Sequence, residues 1–142
     1  MSIDGLKTNS KSQLERDEGR RKEIYYDSLN VPTIGIGINL KEGLDDEEID
    51  WLFFHRWEKS VMELQRSLPW TAALDEARLG ALSNMAFNMG VPRLLQFKNM
   101  LKALEEQRWE DAEKHALNSI WSSQVKGRAV RVARQLRTGK WE

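Results

Sequence analysis

The sequence contains no cysteine, only three prolines and no long apolar run among its 142 residues. Without cysteine no disulfide can stabilise the fold, and nothing indicates an oxidising compartment. No apolar run approaches the roughly 20 residues that span a bilayer, and the N-terminus lacks the features of a signal peptide. We therefore expect a protein that folds in a cytoplasm, with neither a signal anchor nor a membrane segment.

The chain also lacks an excess of either charge, because 22 basic residues balance 22 acidic ones. A balanced charge and the absence of a recognition-helix pattern disfavour nucleic acid as a partner. The two histidines, His55 and His115, stand apart from any second histidine or cysteine at ligand spacing. We predict no metal site and no cofactor.

The first part of the chain is predicted to be a small lobe with a β region. Residues 1–11 show no periodicity and are predicted to be a flexible arm, while Ser12 and Glu15 form a capping-box pattern that starts a first helix. Gly19 favours the end of that helix. Residues 24–38 are predicted to form two or three short strands, with residues 27–30 as a turn.

The rest of the chain is predicted to be helical. Asp45 and Glu48 form a second capping-box pattern, and apolar residues then recur at three- and four-residue steps up to Pro69. Asp75 is a predicted cap for an apolar helix that Gly90 ends. Short helices are predicted around 98–105, 109–117 and 127–136. The pattern predicts a mainly α (α+β) fold in one domain of residues 1–142, with a small lobe over about 12–44, a connecting helix over 45–68 and a helical lobe over 69–142.

Three residues with spacing suited to chemistry lie in the predicted β region. Glu18 is flanked by Asp17 and Gly19, Asp27 follows in the predicted turn, and Thr33 begins the segment Thr-Ile-Gly-Ile-Gly. Hydrolysis of a glycosidic bond takes one carboxyl that donates a proton and a second group that activates or holds a water. Each residue also has an ordinary explanation, as a surface carboxylate, a turn former and a strand residue.

The segment resembles the start of the phage T4-type lysozyme family, and the resemblance extends through residues 84–90, 107–109, 128–132 and 137–141. It implies a lysozyme-like two-lobe architecture and a muramidase that cleaves the β-1,4 bond between N-acetylmuramic acid and N-acetylglucosamine. Glu18 would be the proton donor, which requires partial burial or a negative neighbour to keep its proton. Asp27 and Thr33 would hold the attacking water, which gives inversion and requires carboxyls roughly 6.5 to 9.5 Å apart.

The resemblance also assigns roles in the helical lobe. Arg128 matches an arginine that reaches the catalytic glutamate, and Phe87 and Asn88 match residues that line the sugar groove. Arg128 also begins a series of arginines at every third position. An ordinary solvated helix face is the favoured explanation, and the alternative is that some of them face the cleft or the anionic cell wall. Phe87 is equally well explained as a core aromatic. The substrate-contacting positions of the family are occupied here by Met100 and His115.

The function implied is that of a phage endolysin. It would act as a monomer on peptidoglycan glycan strands, remaining in the host cytoplasm until a holin releases it to the periplasm and cell wall. Two alternatives stay open: a lytic transglycosylase, which uses a glutamate alone and leaves anhydro ends, and a cell-wall-binding module that has lost catalysis. Retention of both Asp27 and Thr33 argues against the transglycosylase, and retention of these two together with Glu18 argues against the binding module.

Overall fold

The structure, a computed structural model, describes residues 2–142. The described residues form eight α-helices and a three-stranded antiparallel sheet, which confirms the predicted mainly α (α+β) fold. None of these helices combines the length and the apolar character needed to cross a bilayer. The elements are α1 Ile3–Glu18, β1 Arg21–Tyr26, β2 Pro32–Gly35, β3 Ile38–Asn39, α2 Asp46–Ser67, α3 Glu76–Met89, α4 Val91–Leu94, α5 Lys98–Glu105, α6 Trp109–Leu117, α7 Ile120–Val125 and α8 Gly127–Thr138.

Helix α1 is capped by Ser2 and not by Ser12, so it begins ten residues earlier than predicted. The prediction of an arm over residues 1–11 is therefore wrong for residues 3–11, and Met1 lies outside the described residues. The Ser2 side chain caps the helix by accepting a hydrogen bond from the Gly5 amide at 3.3 Å. Ser12 lies inside the helix. Because α1 buries none of its residues, it needs no apolar stripe, and periodicity therefore could not reveal it.

The sheet has the strand order β1-β2-β3, with β2 in the centre. Thr33 lies opposite Tyr25 on one side and Asn39 on the other. The pairing of β1 with β2 shifts in register between Arg21 and Tyr25. The central position explains why Thr33 is buried although most of its neighbours in the first part of the chain are exposed.

Helix α2 begins as predicted with a reciprocal capping box. The Glu48 amide donates to Asp45 Oδ1 and the Asp45 amide donates to Glu48 Oε2, both at 2.8 Å. The chain divides into two compact units, of which the first ends at Asp50 and the second is Trp51–Glu142. The lobe boundaries near residues 44 and 68 stay predictions.

The second unit has an apolar core around α3. Leu82 and Met85 of α3 are fully buried together with Leu94, Leu104 and Leu136 from later helices. The structure confirms the predicted bounds of α5 and α6. The short helices α4 and α7 were not predicted, because four and six residues are too few for a periodic pattern.

The end of α8 is fixed by Arg78 of α3. Its guanidinium donates at 2.7 Å to the carbonyls of Leu136 and Arg137, which belong to the last turn of α8 and have no partner in that helix. The same guanidinium lies over the Trp109 ring at 3.7 Å and pairs with Asp75 at 2.9 Å. One arginine therefore ties α3, α6 and α8 together.

Candidate active site

Glu18 is the last residue of α1 and its side chain is exposed, so the partial burial expected of a proton donor is not found here. A bound glycan would have to cover this carboxyl for Glu18 to act as the acid. A negative side chain is unfavourable beside the carbonyl end of a helix, so helix stability does not explain a glutamate here. Its acidic neighbours are neutralised, since Glu15 pairs with Lys11 and Asp17 pairs with Arg16. Within residues 2–142, the Glu18 carboxylate has no hydrogen bond or ion pair, which leaves it free to act on a ligand.

The Glu18 side chain lies against Gly37, in the turn between β2 and β3. A Cβ atom on Gly37 would lie 3.0 Å from Glu18 Cγ and 3.1 Å from Cβ and Cδ. Gly37 also has a φ of +64°, a conformation that residues with a side chain rarely adopt. Gly37 therefore both makes the turn and leaves room for the carboxylate.

Asp27 closes the hairpin between β1 and β2. Its Oδ1 atom accepts hydrogen bonds from the amides of Leu29 at 2.8 Å and Val31 at 2.9 Å. Its own amide donates to the Val31 carbonyl at 3.1 Å. The ordinary explanation as a turn former is therefore correct, but it uses only one of the two carboxylate oxygens. Oδ2 remains available on a side chain that the turn holds in one orientation.

Thr33 is joined to Asp27 through the backbone of Val31. The Thr33 hydroxyl donates to the Val31 carbonyl at 2.9 Å, and this carbonyl also accepts from the Asp27 amide. Because the hydroxyl hydrogen is donated to that carbonyl, the oxygen can only accept, and a water could donate a hydrogen bond to it. The side chains of Asp27 and Thr33 are thus oriented by a single peptide unit.

Arg128 lies in the first turn of α8, in the second unit. Its Nε atom donates to Asn84 Oδ1 at 2.9 Å, and a terminal nitrogen lies 3.5 Å from the Asn84 carbonyl oxygen. A cation is unfavourable at a helix N-terminus, so α8 gains nothing from this arginine. Asn84 therefore positions the guanidinium, while the contact of Arg128 with Glu18 stays a prediction.

Phe87 and Asn88 lie at the end of α3. The Phe87 ring is 43% exposed and packs on Phe53 of α2, with the ring centroids 5.5 Å apart. The Asn88 side chain is exposed, but its Oδ1 accepts from the indole of buried Trp121 at 2.8 Å. Because this internal hydrogen bond occupies the amide oxygen, a ligand would bind the amide nitrogen of Asn88, which is a donor.

Sequence reasoning missed three residues of this arrangement: Val31, Gly37 and Asn84. Val31 acts through its backbone, which no residue pattern reveals. Gly37 ends the segment that begins at Thr33, but its contact with Glu18 depends on tertiary structure. Asn84 belongs to a block that carried the resemblance, and its spacing of four residues before Asn88 indicated only a shared helix face.

Comparison with known proteins identifies the family. The family model described as phage lysozyme matches residues 15–138. A probable T4-type lysozyme of Dictyostelium discoideum is 31% identical over 91% of this chain and 94% of its own length. The endolysin of Salmonella phage P22 is 29% identical over 70% of this chain and 79% of its own length.

A third relative is larger than this chain. The pre-baseplate central spike protein Gp5 of Enterobacteria phage T4 is 34% identical over 91% of this chain, and the aligned part is 28% of the spike protein's length. The fold and these matches define a lysozyme-type cell-wall hydrolase. The chain belongs to the phage lysozyme family.

Proposed function

We propose that this protein hydrolyses the β-1,4 bond between N-acetylmuramic acid and N-acetylglucosamine in bacterial peptidoglycan, with inversion at the anomeric carbon. The observation that carries the proposal is a division of chemical roles within the first unit. In the part of the chain that the structure describes, the Glu18 carboxylate has no bonding partner, whereas Asp27 and Thr33 are held together by the Val31 peptide unit. These are the two kinds of group that the reaction needs.

In the proposed reaction, protonated Glu18 gives its proton to the glycosidic oxygen as the bond to the anomeric carbon breaks. The water held by Thr33 and by Asp27 Oδ2 forms the new bond to that carbon, and its proton passes to Asp27. Proton exchange with solvent restores both carboxyls. Arg128 serves as an electrostatic and orienting residue, and Phe87 and Asn88 bind the sugars.

Contacts in the second unit support this sugar-binding role. The exposed face of Phe87 offers apolar surface to a sugar ring, and the Asn88 amide nitrogen can donate to the carbonyl of an N-acetyl group. Sugar binding in this way uses only the amide nitrogen of Asn88, and the hydrogen bond from Trp121 occupies only the amide oxygen. No cofactor is required for any of these steps.

The test of the proposed function is a turbidity assay on permeabilised bacterial cells with wild type and Glu18→Gln. The glutamine keeps the size of the side chain but cannot donate a carboxyl proton, so clearing should fall by at least about a hundredfold. Equal clearing by the two proteins would refute catalysis by Glu18. Anhydro ends in the product would identify a lytic transglycosylase instead. Binding to walls without clearing by wild type would identify a catalytically silent module.

We also propose that the enzyme acts as a monomer in phage-driven lysis, remaining in the host cytoplasm until a holin gives it access to the wall. The likeness to the P22 endolysin supports this setting. The likeness to a central spike protein supports a second setting, in which the enzyme is a part of the phage particle. Mass spectrometry of purified particles and of the cleared lysate distinguishes the two, because a spike component stays with the particles.

A further inference from the structure

The second unit contains an open pocket of about 360 Å³ near the start of α3. Its lining includes two tryptophans, a leucine, two acidic residues and a glutamine, namely Trp70, Trp109, Leu74, Asp75, Glu105 and Gln107. We refer to this feature as the tryptophan pocket. Asp75 caps the start of α3, whereas Phe87 lies at the other end of that helix, about 18 Å further along its axis. The pocket is therefore separate from the proposed sugar contacts at Phe87 and Asn88.

Both tryptophans of the pocket have an indole N–H that is available to a ligand. In the chain from Ser2 to Glu142, no buried or half-buried residue has a buried side-chain nitrogen or oxygen without a hydrogen-bond partner. Trp70 and Trp109 are half-buried, and their indole nitrogens bond to no other described residue, so both nitrogens reach solvent. Trp121 differs, because its indole donates to Asn88. Each pocket tryptophan therefore offers an apolar surface together with a hydrogen-bond donor.

The polar residues of the pocket differ in what they leave available. Both oxygens of Asp75 accept from Arg78, Oδ1 from the guanidinium at 2.9 Å and Oδ2 from the amide at 3.1 Å. The side chains of Glu105 and Gln107 are exposed and bond to no other side chain or backbone group that the structure describes. The pocket thus offers a ligand one carboxylate acceptor, one amide that both donates and accepts, and two indole donors.

These groups fit an uncharged ligand with many hydroxyl groups. An anion would be repelled by the free carboxylate of Glu105. A cation is already present, since the Arg78 guanidinium lies 3.7 Å from the centre of the Trp109 ring and pairs with Asp75. A sugar ring has hydroxyls that donate and accept, and its C–H face packs on aromatic surface. The volume lies near the lower end of the roughly 300 to 1,000 Å³ of ligand pockets, which suits a short length of a polymer.

Gln107 has a backbone conformation that glycine adopts more easily. Its φ is +59°, and it follows the end of α5, where helices commonly place glycine in this left-handed region. Fold stability alone would therefore favour glycine at this position. The Gln107 side chain makes no hydrogen bond with the described chain that would offset the strain, and it lines the pocket. A ligand that binds its amide explains why a side chain is present here.

We propose that the tryptophan pocket is a second glycan-binding site, which binds N-acetylglucosamine of the wall strand. This inference rests on the proposed function, because the strand belongs to its substrate. The carbonyl of an N-acetyl group accepts from an indole N–H, and its N–H donates to Glu105 or to the amide oxygen of Gln107. A site separate from Phe87 and Asn88 holds the enzyme on the wall while those residues exchange one sugar for the next.

An NMR titration of the ¹⁵N-labelled wild-type protein tests the pocket without any need for catalysis. A β-1,4-linked trimer of N-acetylglucosamine should shift the indole N–H signals of Trp70 and Trp109 in a saturable way. The corresponding glucose trimer, which lacks the acetamido groups, should shift them much less, and tetramethylammonium should not shift them. Equal shifts with both trimers, shifts with tetramethylammonium alone, or no shift with the first trimer would overturn the proposal. The indole signal of Trp121 reports separately on Asn88, so the two sites are distinguished in one spectrum.

Two substitutions test the pocket against a merely structural role. Gln107→Gly should raise Tm, because glycine relieves the positive φ, and should weaken binding of the N-acetylglucosamine trimer by roughly threefold to tenfold. A raised Tm with unchanged affinity would overturn the proposal. Glu105→Ala should weaken binding to a similar extent, whereas the matched control Glu110→Ala, at an exposed position of α6 outside the pocket, should not. Equal effects of these two alanine variants would also overturn it. Clearing by Glu18→Gln tests the proposed function separately, since binding of the trimer requires no catalysis.

Discussion

The Glu18 side chain packs directly against Gly37, since a Cβ atom on Gly37 would lie 3.0 Å from Glu18 Cγ. The carboxylate at the end of α1 is thereby placed against the turn that follows the strand of Thr33. The position of the proposed acid thus depends on a residue 19 positions later in the sequence, which has no chemistry of its own.

Gly37→Ala should therefore lower activity by moving Glu18. The substitution also costs about 1 to 2 kcal/mol of stability because φ at this position is positive. Gly43→Ala is the matched control, since Gly43 has a φ of +75° and nothing within 4 Å of its Cβ position. Thermal unfolding should show similar losses for the two variants, while only Gly37→Ala should reduce kcat. Equal kcat values in the two variants would contradict the contact.

Asp27→Asn should separate chemistry from structure in the hairpin. The amide oxygen of asparagine can still accept from the Leu29 and Val31 amides, so the turn should survive. Asparagine cannot take a proton from water, and we expect kcat to fall by about 10² to 10⁴. Circular dichroism and kcat together check this prediction. A large loss of stability with little loss of kcat per folded molecule would show that Asp27 is only a turn former.

Thr33→Val should remove the proposed water contact while keeping the buried volume. The valine leaves the bond from the Asp27 amide to the Val31 carbonyl in place, so the hairpin should persist. We expect at least about a tenfold loss of kcat, as for the loss of one hydrogen bond to a reacting group. Thr33→Ser keeps the hydroxyl and should retain most activity. If serine is as inactive as valine, the hydroxyl does not hold the water.

Asn84→Ala should reduce activity by releasing Arg128. Asn84 is a positioning residue in this account, because it holds the guanidinium through its side-chain and backbone oxygens. We expect kcat to fall by about threefold to tenfold, with the fold unchanged. The salt dependence of kcat should approach that of Arg128→Gln. The control Asn9→Ala, at an exposed position of α1, should match wild type.

The ion pair of Asp75 with Arg78 should make stability depend on pH in acid. Burial alone would raise the pKa of Asp75, but hydrogen bonds from Arg78 and its charge outweigh burial and hold that pKa below its ordinary 3.8. Because the pKa of Asp75 is lower in the folded state than in the unfolded state, its ionised form stabilises the fold at pH values above the unfolded-state pKa. This stability is lost as the pH falls through the folded-state pKa. Asp75→Asn keeps a capping side chain and should cost about 0.5 kcal/mol at pH 7, after allowance for solvent screening. Urea unfolding should show this difference at pH 7 and not below the folded pKa.

Local signals in the sequence predicted much of the fold. The capping box of Asp45 and Glu48 and the cap at Asp75 were identified because each depends on residues three positions apart. The start of α1 was missed because that helix buries nothing, so its sequence carries no apolar stripe. The predictable part of the fold is therefore the part that local contacts or a buried face determine.

The candidate site was predictable only in part. Glu18, Asp27 and Thr33 were identified by spacing and resemblance, and their catalytic roles stay proposals. The contact with Gly37 and the bonds through Val31 depend on how the chain returns on itself. The internal bond of Asn88 to Trp121, across 33 residues, likewise could not be read from the order of residues.

The most direct test of the central claim is product analysis by mass spectrometry and NMR after digestion of purified peptidoglycan in H₂¹⁸O. Water held by Asp27 and Thr33 and a proton from Glu18 predict fragments ending in reducing N-acetylmuramic acid, labelled with ¹⁸O and released as the α anomer. Anhydro ends without label, or a product released as the β anomer, would contradict the account.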